Sequence, residues 1–406
     1  ATADYAMSRL DFYRSLAVPG DRRILFMVLD GVGGLPHPET GLTELEAAST
    51  PTLDALAWRG ETGLTTPVLP GVTPGSGPAH IALFGYDPVE HQVGRGVLAA
   101  LGVAADLRPG DVAARINFCT LDGDGNVTDR RAGRIGDEIG GLLAQRLDAM
   151  PDPQGVEIEV RHVKQYRACV IFRGDGLEGN VADTDSQQTG VPPLAPVSRE
   201  AGAERMAQIA ADFVERALVE LSDQPAANGI LLRGFGGYTP LPSMGSLYRL
   251  EAVAVAAYPM YLGVARLAGM EAHGVADDPD ALAGKVLEMG GKDFVFLHYK
   301  STDSRGEDGD FDAKVAEIEK ADGMLARLVE EFDVVMVTGD HSTPSSMRSH
   351  SWHPVPLLIA SENCRAHGRE GFGERACAQG VLGHVRSNDI LPLVLAHAGR
   401  LKKFGA

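Results

Sequence analysis

Three stretches of the chain are apolar without interruption, "RRILFMVLDG", "KDFVFLHYKSTD" and "FDVVMVTGDH". Each runs up to polar chemistry: the first to Asp30, the second to His298, Lys300 and Asp303, the third to Asp340 and His341. Runs of this length, rich in β-branched and aromatic residues and without alternation, predict strands covered on both faces. Between them the apolar residues recur at three- and four-residue steps, as in "DAKVAEIEKADGMLARLVEEF", which predicts helices. "STPTLDALAWRG" opens another, with Ser49 or Thr50 as its cap and Pro51 in the first turn. Strand and helix in alternation imply βαβ units and a mostly parallel sheet. Ligands of such sheets gather at the carboxyl ends of the strands, where Asp30, Asp303, Asp340 and His341 are expected.

From about Leu107 to Leu241 the pattern changes to short segments joined by polar, glycine-rich stretches such as "LDGDGNVTD" and "TDSQQTGVPPLAPV". Val156 to Phe172 alternates, which predicts an exposed antiparallel pair. The expected organisation is therefore a discontinuous core, residues 1–108 and 245–406, interrupted by a smaller α+β insertion over 109–244. No internal repeat or low-complexity tract is present.

Composition narrows the partners. With 406 residues, 44% of them hydrophobic, the chain can bury a large core. A net charge of -18 argues against nucleic-acid and membrane-surface partners, so any phosphate must meet a local cluster of cations. Cys119, Cys169, Cys364 and Cys377 show no CxxC spacing, which fits reduced thiols in the cytoplasm better than a zinc knuckle or a disulfide framework. No apolar run reaches the roughly 18 residues needed to span a bilayer, and the start, "ATADYAMSRLDFYRSL", is amphipathic. Homo-oligomerisation stays open.

The strand ends and the segments beside them offer Asp30, Asp303, Glu307, Asp340, His341, His350 and His353. Carboxylates and imidazoles from separate elements are the ligands that divalent cations take, and acids so grouped would repel one another without a cation. A further stretch, "TPGSGPAHIALFGYDP", frames Ser76 with proline and glycine and places His80 four residues on. Its punctuation predicts a loop as far as Ala79. Ser76 can there be a nucleophile or a helix cap.

"LDGVGG", "TPGSGPAHIALFGYDP", "GRGVLAALGV", "RINFCTLDGDG", "DRRAGRIG", "LLRGFGG", "KSTDSRGEDGDFDAKVAEIEKAD" and "GDHSTPSSMRSH" followed by "HPVPLLI" resemble, in order, the archaeal-type cofactor-independent phosphoglycerate mutases of the alkaline phosphatase superfamily. The resemblance runs from about residue 24 to 396. It implies an α/β fold, an alkaline-phosphatase-like, mostly parallel sheet flanked by helices, the core holding the metals and the inserted smaller α+β domain serving as a substrate-binding lid. By the same resemblance Ser76 is the nucleophile of a phosphoserine intermediate and a ligand of one metal, together with Asp30, Asp340 and His341. Asp303, Glu307 and His350 then hold a second metal, and Arg95, Arg130, Arg131, Arg134, Arg233 and Lys300 bind the small phosphorylated acid, while His80 either joins them or only holds the loop. The chain departs from the family pattern at Glu307, where a histidine is usual, at Gly77, where an aspartate is usual, and over Asp183 to Gly190, "DTDSQQTG". A glutamate oxygen in place of a nitrogen favours manganese or magnesium over zinc or cobalt as the two divalent ions; the alternative is that Glu307 no longer touches metal and leaves its site weakened or empty. His353 offers a replacement nitrogen. Loss of expected polar residues leaves a phosphatase, or a phosphonate- or phosphoester-processing hydrolase, as the alternative activity. A metal-free binding protein is a third reading.

Overall fold

The computed structural model describes residues 7–366, 368 and 371–405. Among these residues thirteen strands follow in chain order: β1 (Ile24–Leu29), β2 (Glu61–Thr66), β3 (Val112–Leu121), β4 (Val127–Asp129), β5 (Glu157–Lys164), β6 (Arg167–Arg173), β7 (Gly229–Gly237), β8 (Ala252–Ala256), β9 (Glu271–Gly274), β10 (Phe294–Tyr299), β11 (Val334–Thr338), β12 (Val355–Ala360) and β13 (Gly383–Arg386). The chain divides into two units, one of residues up to Gln92 together with those from Pro242 onward, the other Val93–Leu241.

The first unit is built on an eight-stranded sheet of order β13-β2-β12-β11-β1-β10-β8-β9. β12 alone runs antiparallel to its neighbours. The three apolar runs of the sequence are the adjacent strands β10, β1 and β11, paired parallel, with Leu29 opposite Tyr299 and Val28 opposite Thr338. Every residue of the three is buried, as continuous apolar runs require. Leu25, Met27 and Leu29 pack in one core with Ile318, Ala321 and Leu325 of the helix Phe311–Ala326. On the other face Phe26 meets Phe84 and Phe294. Because β1 has neighbours reached by connections on both sides, its carboxyl end lies at a switch point of the sheet, the place at which sheets of this kind take their ligands. β11 returns as β12 through a non-helical segment, so residues 339–354 stay at that same end.

The second unit carries a five-stranded sheet of order β4-β3-β6-β5, with β7 also paired to β3 and every pairing antiparallel. β5 and β6 are the pair expected from the alternation at Val156 to Phe172. The first boundary lies at Gln92/Val93, not at 108/109. The reason is the helix Arg95–Gly102, which sits so close to β3 and β7 that a Cβ at Gly96 would fall 2.4 Å from the Ala113 carbonyl oxygen and one at Gly94 2.9 Å from the Gly236 Cα. Arg95 therefore goes with the second unit.

Candidate metal centre

Asp30 is the residue after β1. Its backbone N–H donates to the Tyr299 carbonyl at the end of β10, 3.0 Å, and its carbonyl accepts from the Thr302 hydroxyl, 2.5 Å. The chain then turns through Gly31 at φ +60, where a Cβ would lie 2.4 Å from Thr343 Oγ1 and 2.7 Å from Asp303 Oδ1; only glycine admits this approach. The Gly31 N–H donates to Asp340 Oδ1, 3.1 Å, and so joins the ends of β1 and β11. Asp303 lies not at a strand end, as expected, but in the first turn of the helix Ser301–Asp308 that follows β10. Glu307 is four residues on and shares its helix face.

Ser76 opens the helix Ser76–Leu83, with Gly75 as N-cap. The loop expected up to Ala79 thus ends four residues earlier, at Gly75. Pro78 is no obstacle, because N–H groups in a first turn have no helical acceptor to lose. His80 Nδ1 donates back to the Ser76 carbonyl, 2.8 Å. Of the two places open to His80, on the substrate or holding the loop, it takes the second: it is wholly buried, its ring against Phe84, Tyr261, Phe296 and His298, with Nδ1 3.5 Å from Asp340 Oδ2. It supports the serine turn from beneath. Burial, with His298 nearby, pushes its pKa down to about 3, so it is neutral.

Three side chains converge on His341 Nε2: Ser76 Oγ at 3.2 Å, Asp340 Oδ2 at 3.2 Å and Asp30 Oδ1 at 3.3 Å. Asp30, Asp340 and His341 form one group whose ligand atoms lie within 4.8 Å of one another; Asp303, His341 and His350 form a second. His350 stacks on His341 with centroids 3.6 Å apart, and its Nδ1 donates to the Pro74 carbonyl, 3.0 Å. That bond turns Nε2 toward Asp303 Oδ1, 3.6 Å, and Glu307 Oε1, 3.8 Å. His353 does not join either group; its Nδ1 is 3.0 Å from Ser351 Oγ and its ring stacks on Trp352.

The donor set fits divalent cations. Asp30 Oδ1 and Asp340 Oδ2 are buried without a hydrogen-bond partner, which is costly unless a cation completes them. Burial, with Asp30 and Asp303 close by, holds Asp340 well above the carboxylate range. At Asp30 burial acts the same way, but Lys300, His298 and His341 outweigh it and hold that carboxyl well below. Lys300 Nζ is 3.2 Å from Asp30 Oδ2 and bonds Asp303; burial opposes its charge, and the two aspartates more than restore it. Burial and Asp303 raise Glu307.

Several supporting residues escaped the sequence reading. Tyr261 donates its hydroxyl to Asp30 Oδ2 and stacks on His298, centroids 3.5 Å apart. Nothing in "YPMYLGVARL" distinguishes it from a core tyrosine. Lys314 is fully buried, and its three N–H bonds go to the carbonyls of Gly31, Gly33 and Thr343 at 2.8, 3.1 and 2.8 Å. A lysine at the spacing of the apolar stripe Ile318 and Ala321 was the legible sign.

In the second unit Asp185 holds Arg130 bidentately, 2.9 and 2.7 Å, and lies 3.3 Å from Arg233. Arg95, Arg131 and Arg134 are exposed there.

A family model described as 2,3-bisphosphoglycerate-independent phosphoglycerate mutase matches residues 57–227. A probable 2,3-bisphosphoglycerate-independent phosphoglycerate mutase of Thermus thermophilus is 48% identical over 399 residues, 97% of this chain and 98% of that one. One of the same description from Deinococcus radiodurans is 46% identical over 406 residues, 98% and 99% of the two chains. Among solved structures, a protein from Pyrococcus horikoshii superposes with a TM-score of 0.83 at 32% identity, covering 96% of this chain and 100% of that one. The cofactor-independent phosphoglycerate mutase of Thermoplasma acidophilum gives 0.70 at 28%, over 93% and 100%.

Proposed function

Because this chain belongs to the 2,3-bisphosphoglycerate-independent phosphoglycerate mutases, we propose that Ser76 carries the phosphoryl group as it passes between the 3- and 2-hydroxyls of glycerate. The enzyme interconverts 3-phosphoglycerate and 2-phosphoglycerate, an isomerisation within glycolysis. The observation that carries the assignment of Ser76 is the convergence of its Oγ with Asp30 and Asp340 on His341 Nε2, at 3.2 to 3.3 Å.

Asp30, Ser76, Asp340 and His341 are proposed to hold one divalent cation, and Asp303, Glu307 and His350 the other. Such cations lower the pKa of a hydroxyl and steady the attacking and leaving oxygens of an in-line displacement. The remaining work falls to the chain. Ser76 stands in the first turn of its helix, whose free N–H groups and dipole favour phosphoryl oxygens. His80 fixes the serine's backbone. Lys300 supplies a cation at the carboxylates of both groups. Arg95, Arg130, Arg131, Arg134 and Arg233 are proposed ligands for the anionic substrate, of which Arg130 and Arg233 are already oriented by Asp185. Oxygen donors predominate, which supports Mn2+ or Mg2+. A cytoplasmic setting belongs to the same proposal; among the described residues no helix is long and apolar enough to cross a membrane.

Incubating the Mn2+-loaded protein with 3-phosphoglycerate should yield 2-phosphoglycerate with little free phosphate. Phosphate released without 2-phosphoglycerate would show that water, not the 2-hydroxyl, takes the group.

Glu307 is the ligand whose place is least enclosed, with its side chain 54% exposed. Glu307→Ala is expected to weaken binding of one of two Mn2+ equivalents by at least about tenfold, and Glu307→His to restore it with a shift toward Zn2+ or Co2+. Unchanged Mn2+ titration in Glu307→Ala would remove it from the ligand set.

A further inference from the structure

Thr343 is buried completely and touches both ligand groups. Its Oγ1 lies 2.6 Å from Asp303 Oδ1 and 3.0 Å from His341 Nδ1. From these two distances we infer that Thr343 is the positioning residue that sets the tautomer of His341 and ties the two groups together. The inference rests on the metal-centre reading above.

The direction of each bond follows from proton count. A hydroxyl has one proton, and an ionised carboxylate has none, so Thr343 donates to Asp303. Its lone pair is then left for His341, whose Nδ1 must donate. A neutral imidazole carries a single N–H, and so Nε2 keeps its lone pair toward Asp30, Asp340 and Ser76, the form a cation needs. Without the hydroxyl the preference reverses. Asp30 Oδ1 and Asp340 Oδ2, 3.3 and 3.2 Å from Nε2, would draw the proton to that nitrogen and block ligation.

The backbone is shaped around this residue. Its N–H faces the carbonyls of Gly31 and Gly33, 3.2 and 3.0 Å, and its own carbonyl accepts from Lys314 Nζ. A Cβ at Gly31 would reach Oγ1 at 2.4 Å, and one at Gly306 would reach Cγ2 at 2.9 Å and the carbonyl oxygen at 2.3 Å. Two glycines thus let the side chain be gripped from both sides, and its rotamer has little freedom.

The test is Mn2+ titration of the full-length protein by calorimetry, without substrate, for Thr343→Val, Thr343→Ala and Thr343→Ser. Valine keeps the shape and loses the hydroxyl; alanine guards against a valine variant that fails to fold; serine keeps the hydroxyl. Valine and alanine should weaken both Mn2+ equivalents by about 10–100-fold, the range for removal of a partner behind a metal ligand, while serine stays within about threefold of wild type. Wild-type affinity in either hydroxyl-free variant, or serine as weak as valine, would overturn the assignment. Weakening of one equivalent alone would overturn the coupling. Wild-type protein that takes up no Mn2+ would overturn the metal-centre reading, and this inference with it.

Discussion

Replacing Ser76 by alanine is expected to lower phosphoglycerate mutase activity by at least about four orders of magnitude, since covalent catalysis needs the hydroxyl that alanine lacks. Ser76 Oγ is a hydroxyl within 3.2 Å of the His341, Asp30 and Asp340 cluster, and the helix it opens does not depend on it. Gly75 is the N-cap, and no side chain caps that turn. Folding stability should therefore change by less than about 1 kcal/mol, the net worth of one hydrogen bond. Wild-type enzyme quenched during turnover should carry phosphate on the peptide spanning residues 71–84, and the variant should carry none. Label on another residue, or an active variant, would refute the role of Ser76 as phosphoryl carrier.

Asp340→Asn is expected to separate stability from function. Asp340 is 1% exposed and shares its pocket with Asp30 and Asp303, so in metal-free protein its charge is both desolvated and repelled. Asparagine keeps an oxygen for the N–H groups of Gly31 and His341, each 3.1 Å from Oδ1, and removes the charge. With a chelator present, the variant should be more stable than wild type by about 1–3 kcal/mol. Saturating Mn2+ should reverse the order, because a ligand at about 1,000 times its dissociation constant stabilises the native state by about 4 kcal/mol and the variant would lack one of the proposed ligands. Activity should fall at least about a thousandfold. The measurements are thermal melts with and without Mn2+, and metal content after dialysis. A variant that melts below wild type in chelator would show that the Asp340 carboxylate stabilises the metal-free fold.

The middle of the chain was legible in outline because a two-residue period survives wherever one sheet face is covered and the other is not. The exact division was not. Arg95–Gly102 is an ordinary apolar helix in sequence, and only the close approach of Gly94 and Gly96 to strands more than ten residues away assigns it to the second unit. The place of His80 stayed open between substrate and loop for a similar reason. Its four-residue spacing from Ser76 was visible, but whether a histidine at that spacing faces substrate or core depends on what covers the helix.

The sequence by itself determined the three central strands, the carboxylates and histidines that follow them, and the family to which the chain belongs. Unbroken apolar runs of this length, rich in β-branched and aromatic residues, suit strands covered on both faces, and the polar residues that follow them come at the carboxyl end of the sheet. Tertiary structure alone decided which of those ends meet. The order β10-β1-β11 brings Asp30, Asp303 and Asp340 within reach of one histidine, although Asp30 lies hundreds of residues from the other two along the chain. It also decided what stands behind them. Thr343, Tyr261 and Lys314 owe their roles to partners supplied by other elements, and the strength of a hydrogen bond depends on distance and direction, which no spacing along the chain encodes.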